Sequence, residues 1–243
     1  MWSLGLETHT TSMVHFLEPQ DVRVDKNVAI ALQEWIQGTA SRALWVCDPR
    51  ATSSLAAAVA TKALEVGMPL LCFFCDCTSA TEDVEAGGFL SPEDRDNIYE
   101  SAVINLVYSL IRQTINLLPN RFETNVKFSK SGFAKLDGGL ETWQDAIKIL
   151  EKLMKLAPQG MVAVIDGLEQ LDQTDYHDCV EEVLAVLLKY SSPEFSDERT
   201  FKILLTTVGP CSIIEKCDNV EMIAPRQVKA RHRNRRRRFL DFL

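Results

Sequence analysis

Apolar residues in this chain follow two patterns that alternate along its length. Unbroken apolar runs occur at Ala43–Cys47, Leu70–Cys75 and Met161–Ile165, and mainly apolar ones at Phe201–Thr206, which holds Lys202, and at Val220–Ala224, which holds Glu221. Short runs of this kind, bounded by polar or turn residues, suit strands buried on both faces, as in a parallel sheet. Between them the spacing turns helical. Val28, Ala31, Leu32, Trp35 and Ile36 recur every three or four residues before Gly38. Leu55–Val66 is rich in alanine, the best helix former, with Thr52, Ser53 and Ser54 ahead of it as capping hydroxyls and Gly67 behind. The longest periodic stretch runs through Val103, Leu106, Val107, Leu110, Ile111, Thr114, Leu117 and Leu118 until Pro119. Two more helices are marked by Trp143, Ala146, Ile147, Leu150, Leu153 and Met154, and by Val180, Val183, Leu184, Leu187 and Leu188.

Strands alternating with helices predict a three-layer α/β/α sandwich built on a mainly parallel sheet. The acidic stretch Thr78–Asp96, the polar residues 120–139 and Ser191–Thr200 read as connections. Residues 1–26 show no sustained period and stay unassigned. The expected domain spans 27–224, and residues 225–243 form a separate basic tail.

Charge sharpens that division. The total is −8. Residues 226–243 hold eight Lys/Arg and one acid, a net +7, which leaves −15 on residues 1–225. Arg226–Arg238, with four consecutive arginines at its end, suits a nuclear import receptor or a nucleic-acid backbone. No run of 18 or more apolar residues occurs, so no membrane-spanning helix is expected. The N-terminus lacks the basic-then-apolar pattern of a secretory signal. Seven cysteines, an odd number, form no evident disulfide framework, which predicts reduced thiols in a cytoplasmic or nuclear setting. Cys72, Cys75 and Cys77 are close in sequence but lie in or beside a predicted strand, and no second ligand pair answers them. His9, His15, His177 and His232 are scattered, and Trp35, Trp45 and Trp143 fall at core-facing positions.

The richest stretch for chemistry is Met161–Asp172, M-V-A-V-I-D-G-L-E-Q-L-D. An acid at the carboxyl end of a buried parallel strand sits where open α/β sheets bind ligands. Such a strand has the pattern of a Walker B element, whose Asp helps hold Mg²⁺ beside a nucleotide phosphate. Asp166 is then the metal-binding candidate, with Glu169 beside it. Trp35–Val46, W-I-Q-G-T-A-S-R-A-L-W-V, resembles the entry into fungal NACHT-type domains of the STAND class of P-loop NTPases. V-A-V-I-D-G-L-E-Q-L-D is similar to that family's extended Walker B, and F-K-I-L-L-T-T to its sensor strand. The resemblance covers about residues 27–224.

That resemblance implies ATP or GTP with Mg²⁺ as ligand, and roles in signalling through protein partners. It also implies a phosphate loop between Val46 and Leu55. A working loop needs glycines whose N–H groups cradle phosphate and a Lys that reaches the outer phosphates. This chain has C-D-P-R-A-T-S-S there, without glycine or lysine, so the Walker A element is degenerate. The groups left for a phosphate are Arg50, Thr52, Ser53 and Ser54, with Thr206 on the sensor strand. Gln170 stands where the family commonly carries its second acid, and no Arg follows Thr206–Thr207. Loss of a general base costs about 10²–10⁴ in rate. The expectation is therefore a regulatory or scaffolding module that binds nucleotide weakly at most. An active ATPase or GTPase with Glu169 as its catalytic residue is the first alternative, and a nucleic-acid-associated protein acting through its tail is the second.

Overall fold

The five apolar runs pair into one sheet in which every strand is parallel to its neighbours. β1 (Arg42–Cys47), β2 (Leu70–Phe74), β3 (Met161–Asp166), β4 (Phe201–Thr207) and β5 (Val220–Ile223) lie in the order β2-β3-β4-β1-β5. The computed structural model describes residues 25–49, 52–77, 91–119, 126, 128–172, 174–192 and 199–224. The unassigned segment 1–24 and the basic tail 225–243 lie outside the described residues, as does Arg50.

Helices cover both faces of the sheet because alternate residues of each strand are apolar toward opposite sides. Leu44 and Val46 of β1 pack with Val162, Val164 and Leu204 against α1 (Lys26–Gln37) and α2 (Thr52–Glu65). Ala43 and Trp45 point the other way, with Ala163, Ile165, Ile203 and Leu205. That face is covered by α3 (Pro92–Leu117), α5 (Trp143–Met154) and α6 (His177–Ser191). The result is the three-layer α/β/α sandwich the sequence predicts. β3 and β4 are buried along their whole length. Trp35, Trp45 and Trp143 are buried in these layers, and each indole N–H has an acceptor, in turn Arg42 O, Thr207 Oγ1 and Glu182 Oε2.

Several boundaries differ from the sequence reading. α3 begins at Pro92, ahead of its apolar repeat, because Ser91 and Asp94 form a capping box and Pro92 sits at the first helical position. The polar stretch 120–139 contains one turn of helix, α4 (Lys130–Phe133), and Phe128, Phe133 and Leu136 of that stretch pack on the core. α2 begins at Thr52, so the three hydroxyl residues form its first turn rather than preceding it. A final helical turn, α7 (Ser212–Glu215), sits ahead of β5.

One buried charge fastens α1 to the sheet. Lys202 of β4 is 5% exposed, and its ammonium donates to Trp35 O, Ile36 O and Gly38 O at 2.7, 2.6 and 2.5 Å. A cation at a helix C-terminus meets carbonyls that have no partner within the helix. Among the described residues no helix is long and apolar enough to cross a membrane.

Candidate functional site

Strand order locates the site before any side chain is considered. β1 runs into α2 on one face of the sheet, whereas its neighbour β4 runs into α7 on the other. Adjacent strands whose connections leave on opposite faces create a crevice at their carboxyl ends, the topological switch point. β3, next to β4, brings Asp166 to the same edge in register with Thr206.

Two hydroxyls close on Asp166. Ser53 Oγ, from the first turn of α2, donates to Oδ2 at 2.6 Å, and Thr206 Oγ1 donates to Oδ1 at 2.5 Å. The carboxyl is 4% exposed. Burial raises its pKa above the usual carboxylate range, and the two hydroxyl bonds partly offset that. Three predicted site residues, Ser53, Asp166 and Thr206, thus meet. Ser54 is not one of the hydroxyls on Asp166. The Thr52 side chain and Arg50 lie outside what is described.

Glu169 follows on a single 3₁₀ turn, Leu168–Gln170. Its Oε1 accepts from Val208 N–H at 3.2 Å, while Oε2 is buried without a hydrogen-bond partner. Burial raises the pKa of this group as well, and the nearby Asp166 carboxylate adds to the shift. The turn is possible because Gly167 adopts φ +83°, and a Cβ there would lie 2.6 Å from Cys75 O.

Gln170 has a role the sequence did not suggest. Its Nε2 donates to Cys75 O and its Oε1 accepts from Cys77 N–H, both at 2.8 Å. Both ends of the amide are used to clasp the chain leaving β2 against the turn leaving β3. A carboxylate could supply only the acceptor half. The residue read as a missing second acid is a structural clasp.

The phosphate side of the crevice is built differently from a P-loop. Asp48, where a first glycine would stand, is 6% exposed, and its N–H donates to Thr207 O at 3.1 Å. Thr207 accepts from Trp45 Nε1 and donates to Gly209 O. The oxygen donors of Ser53, Asp166, Thr206 and Glu169 are of the type Mg²⁺ takes. The segment opposite them, with a buried acid and no glycine, does not fit a polyphosphate held by backbone N–H groups.

The structure also separates the three clustered cysteines. Cys72 packs on the α1/α2 face, while Cys75 and Cys77 belong to the opposite core, so the three cannot share a metal. Cys75 and Cys77 face each other with sulfurs 3.6 Å apart. The hydrogen bond between them, together with burial, pushes the Cys75 thiol up, and the same bond draws Cys77 down. A second polar cluster, missed in the sequence, joins His177, Asp178 and Glu181 on α6. Lys216 Nζ already occupies its centre, 2.8 Å from both His177 Nε2 and Glu181 Oε1. Asp172, at the end of the 161–172 stretch, accepts from Ser212 Oγ and Ile213 N–H and so caps α7.

The chain matches no protein-family model, no curated protein and no solved structure. What the crevice does must therefore be argued from its own residues.

Proposed function

We propose that this chain is a P-loop-NTPase-like domain of the NACHT/STAND type whose nucleotide site has decayed. It would act as a regulatory or scaffolding module for protein partners and bind ATP or GTP weakly at most. The observation that carries this reading is the closure of Asp166. Its two oxygens take hydroxyl hydrogens from Ser53 and Thr206, beside a segment that offers neither glycine nor lysine to a phosphate. The arrangement keeps the Ser-to-Asp link of a P-loop site, where a hydroxyl and a strand-end acid hold Mg²⁺ together. It has lost the cradle beside that link.

Binding of labelled ATP and GTP, with and without Mg²⁺, by the wild type and Asp166→Ala tests the reading. The expected result is no saturable binding below millimolar nucleotide in either protein. Micromolar, Mg²⁺-dependent binding weakened by the substitution would overturn it.

One observation favours a second reading, an ATPase or GTPase with an atypical phosphate loop. Glu169 Oε2 is buried and unpartnered at the edge of the crevice, and the group's pKa is raised. A general base has that character. Mg²⁺-dependent phosphate release abolished by Glu169→Gln, with binding retained, would replace the first reading by this one. Nucleic-acid association rests on Arg226–Arg238 alone. It would show as affinity that falls steeply with salt and is lost on deleting residues 226–243.

A further inference from the structure

We infer that Cys75 and Cys77 form a reversible dithiol/disulfide pair, a modification site at the carboxyl end of β2, with Cys77 as the sulfur that meets the oxidant. The inference is independent of the nucleotide reading. One residue, Asp76, separates the pair, so their Cα atoms lie within about 7 Å. Disulfides span about 4.4–6.8 Å between Cα atoms. Positions two apart on an extended chain point to the same side, and here both side chains enter the same core. Their sulfurs are 3.6 Å apart and must close to about 2 Å on bonding.

Both cysteines are 4% exposed, and they differ in what lies beside them. Cys77 lines an open cleft of about 350 Å³, beside Asn97, Ser101 and Asn105 of α3. Cys75 is set against Gly167, whose added Cβ would stand 3.2 Å from the Cys75 Cβ. A small hydroperoxide entering that cleft would meet Cys77 first, with Cys75 on the side of Gly167. Gln170 holds Cys75 O and Cys77 N–H from the far side, which keeps the Cys75–Cys77 segment in the conformation that brings the sulfurs together.

The chemistry balances with a hydroperoxide as the two-electron oxidant. The Cys77 sulfur attacks one peroxide oxygen, and the O–O bond breaks. This leaves Cys77 as a sulfenic acid and releases water, or an alcohol from an organic peroxide. The Cys75 sulfur then attacks the Cys77 sulfur, the S–O bond breaks and a second water leaves. Overall the two thiols give up two protons and two electrons, and the peroxide takes them up as it is reduced.

Cys72 supplies an internal control, because it lies on the opposite face of the sheet and cannot join the pair. The full chain is treated with hydrogen peroxide, unfolded, alkylated, reduced and alkylated with a second reagent before peptide mass analysis. Cys75 and Cys77 should together escape the first reagent and take the second, while Cys72 takes the first. In Cys75→Ser, Cys77 should be trapped as a sulfenic acid by a dimedone probe, and in Cys77→Ser the probe should not label Cys75. The inference is overturned if both cysteines take the first reagent at a peroxide dose that fully oxidises free dithiothreitol. A disulfide joining either one to a different cysteine or to a second chain would overturn it equally.

Discussion

Replacing Gln170 with Glu changes a single atom type and separates the clasp from the missing-acid reading. The amide gives one hydrogen bond to Cys75 O and takes one from Cys77 N–H, each at 2.8 Å. A carboxylate keeps the second and loses the first. Cys75 O then faces a negative oxygen in a corner already filled by Gly167, where a Cβ would stand only 2.6 Å away. A buried carbonyl stripped of its donor costs about 1–3 kcal/mol. With the repulsion of the introduced charge, the total is about 2–4 kcal/mol. For a chain of this size each kcal/mol moves Tm by about 2–4 °C, so Gln170→Glu should melt about 5–15 °C below wild type at pH 7. The introduced carboxyl donates to Cys75 O only when protonated, so folding raises its pKa. Its stabilising contribution is present below the unfolded value, about 4.3, and is lost as pH rises through the folded value. The deficit against wild type should therefore shrink in acid. Urea denaturation of both proteins at pH 4 and pH 7 reads this directly. Equal stability at pH 7, or a deficit that does not change with pH, would refute the clasp. Phosphate release gained by Gln170→Glu would show instead that the position awaits a catalytic acid.

Two further perturbations probe the same edge. Gly167→Ala must place a side chain at φ +83° with its Cβ 2.6 Å from Cys75 O. Left-handed backbone alone costs about 1–2 kcal/mol, and the clash adds to it, so its urea midpoint should fall well below wild type; an unchanged midpoint would show that the 3₁₀ turn is not held as described. Asp166 carries a raised pKa in the folded protein because of burial, so the folded state binds this proton more tightly and wild-type stability falls as pH rises from the unfolded Asp value, about 3.9, through the folded one. Asp166→Asn removes that slope, and its stability relative to wild type should increase with pH across this window in urea titrations; parallel pH profiles would contradict the burial of the group.

The strands were legible because burial on both faces leaves largely apolar runs; Met161–Ile165 stands out for that reason, and Phe201–Thr206 does so despite Lys202. Parity was legible too. Cys72 and Cys75 differ by an odd number of positions and Cys75 and Cys77 by an even one, which assigns the last two to one face. The start of α3 was also written in the sequence, as Ser91, Pro92 and Asp94, but helical periodicity is silent where a helix projects beyond the core it covers. Strand order was not legible, because the lengths of the connections do not say which neighbour a strand will choose. Ser53 and Asp166 are 113 residues apart, and only the crossover of α2 from β1 over β4 and β3 toward β2 brings its first turn to the end of β3. The contacts of Gln170 were not legible for a related reason. Residue type shows what a side chain can donate or accept, but not which backbone atoms arrive beside it.

These contacts set a condition on any ligand of the crevice. Asp166 is occupied by Ser53 and Thr206, Thr207 by Trp45 and Gly209, and Gln170 by Cys75 and Cys77. Among the described residues, Glu169 Oε2 is the one buried side-chain oxygen or nitrogen left without a partner. In a working nucleotide site the hydroxyl and the strand-end acid turn toward the metal, and backbone N–H groups turn toward phosphate. Here Ser53 donates to Asp166 directly. A cation would have to compete with the Ser53 and Thr206 hydroxyls for Asp166, with no glycine-rich loop to share the phosphate charge. Hydrogen bonds at this edge hold the ends of β3 and β4 and the first turn of α2 together.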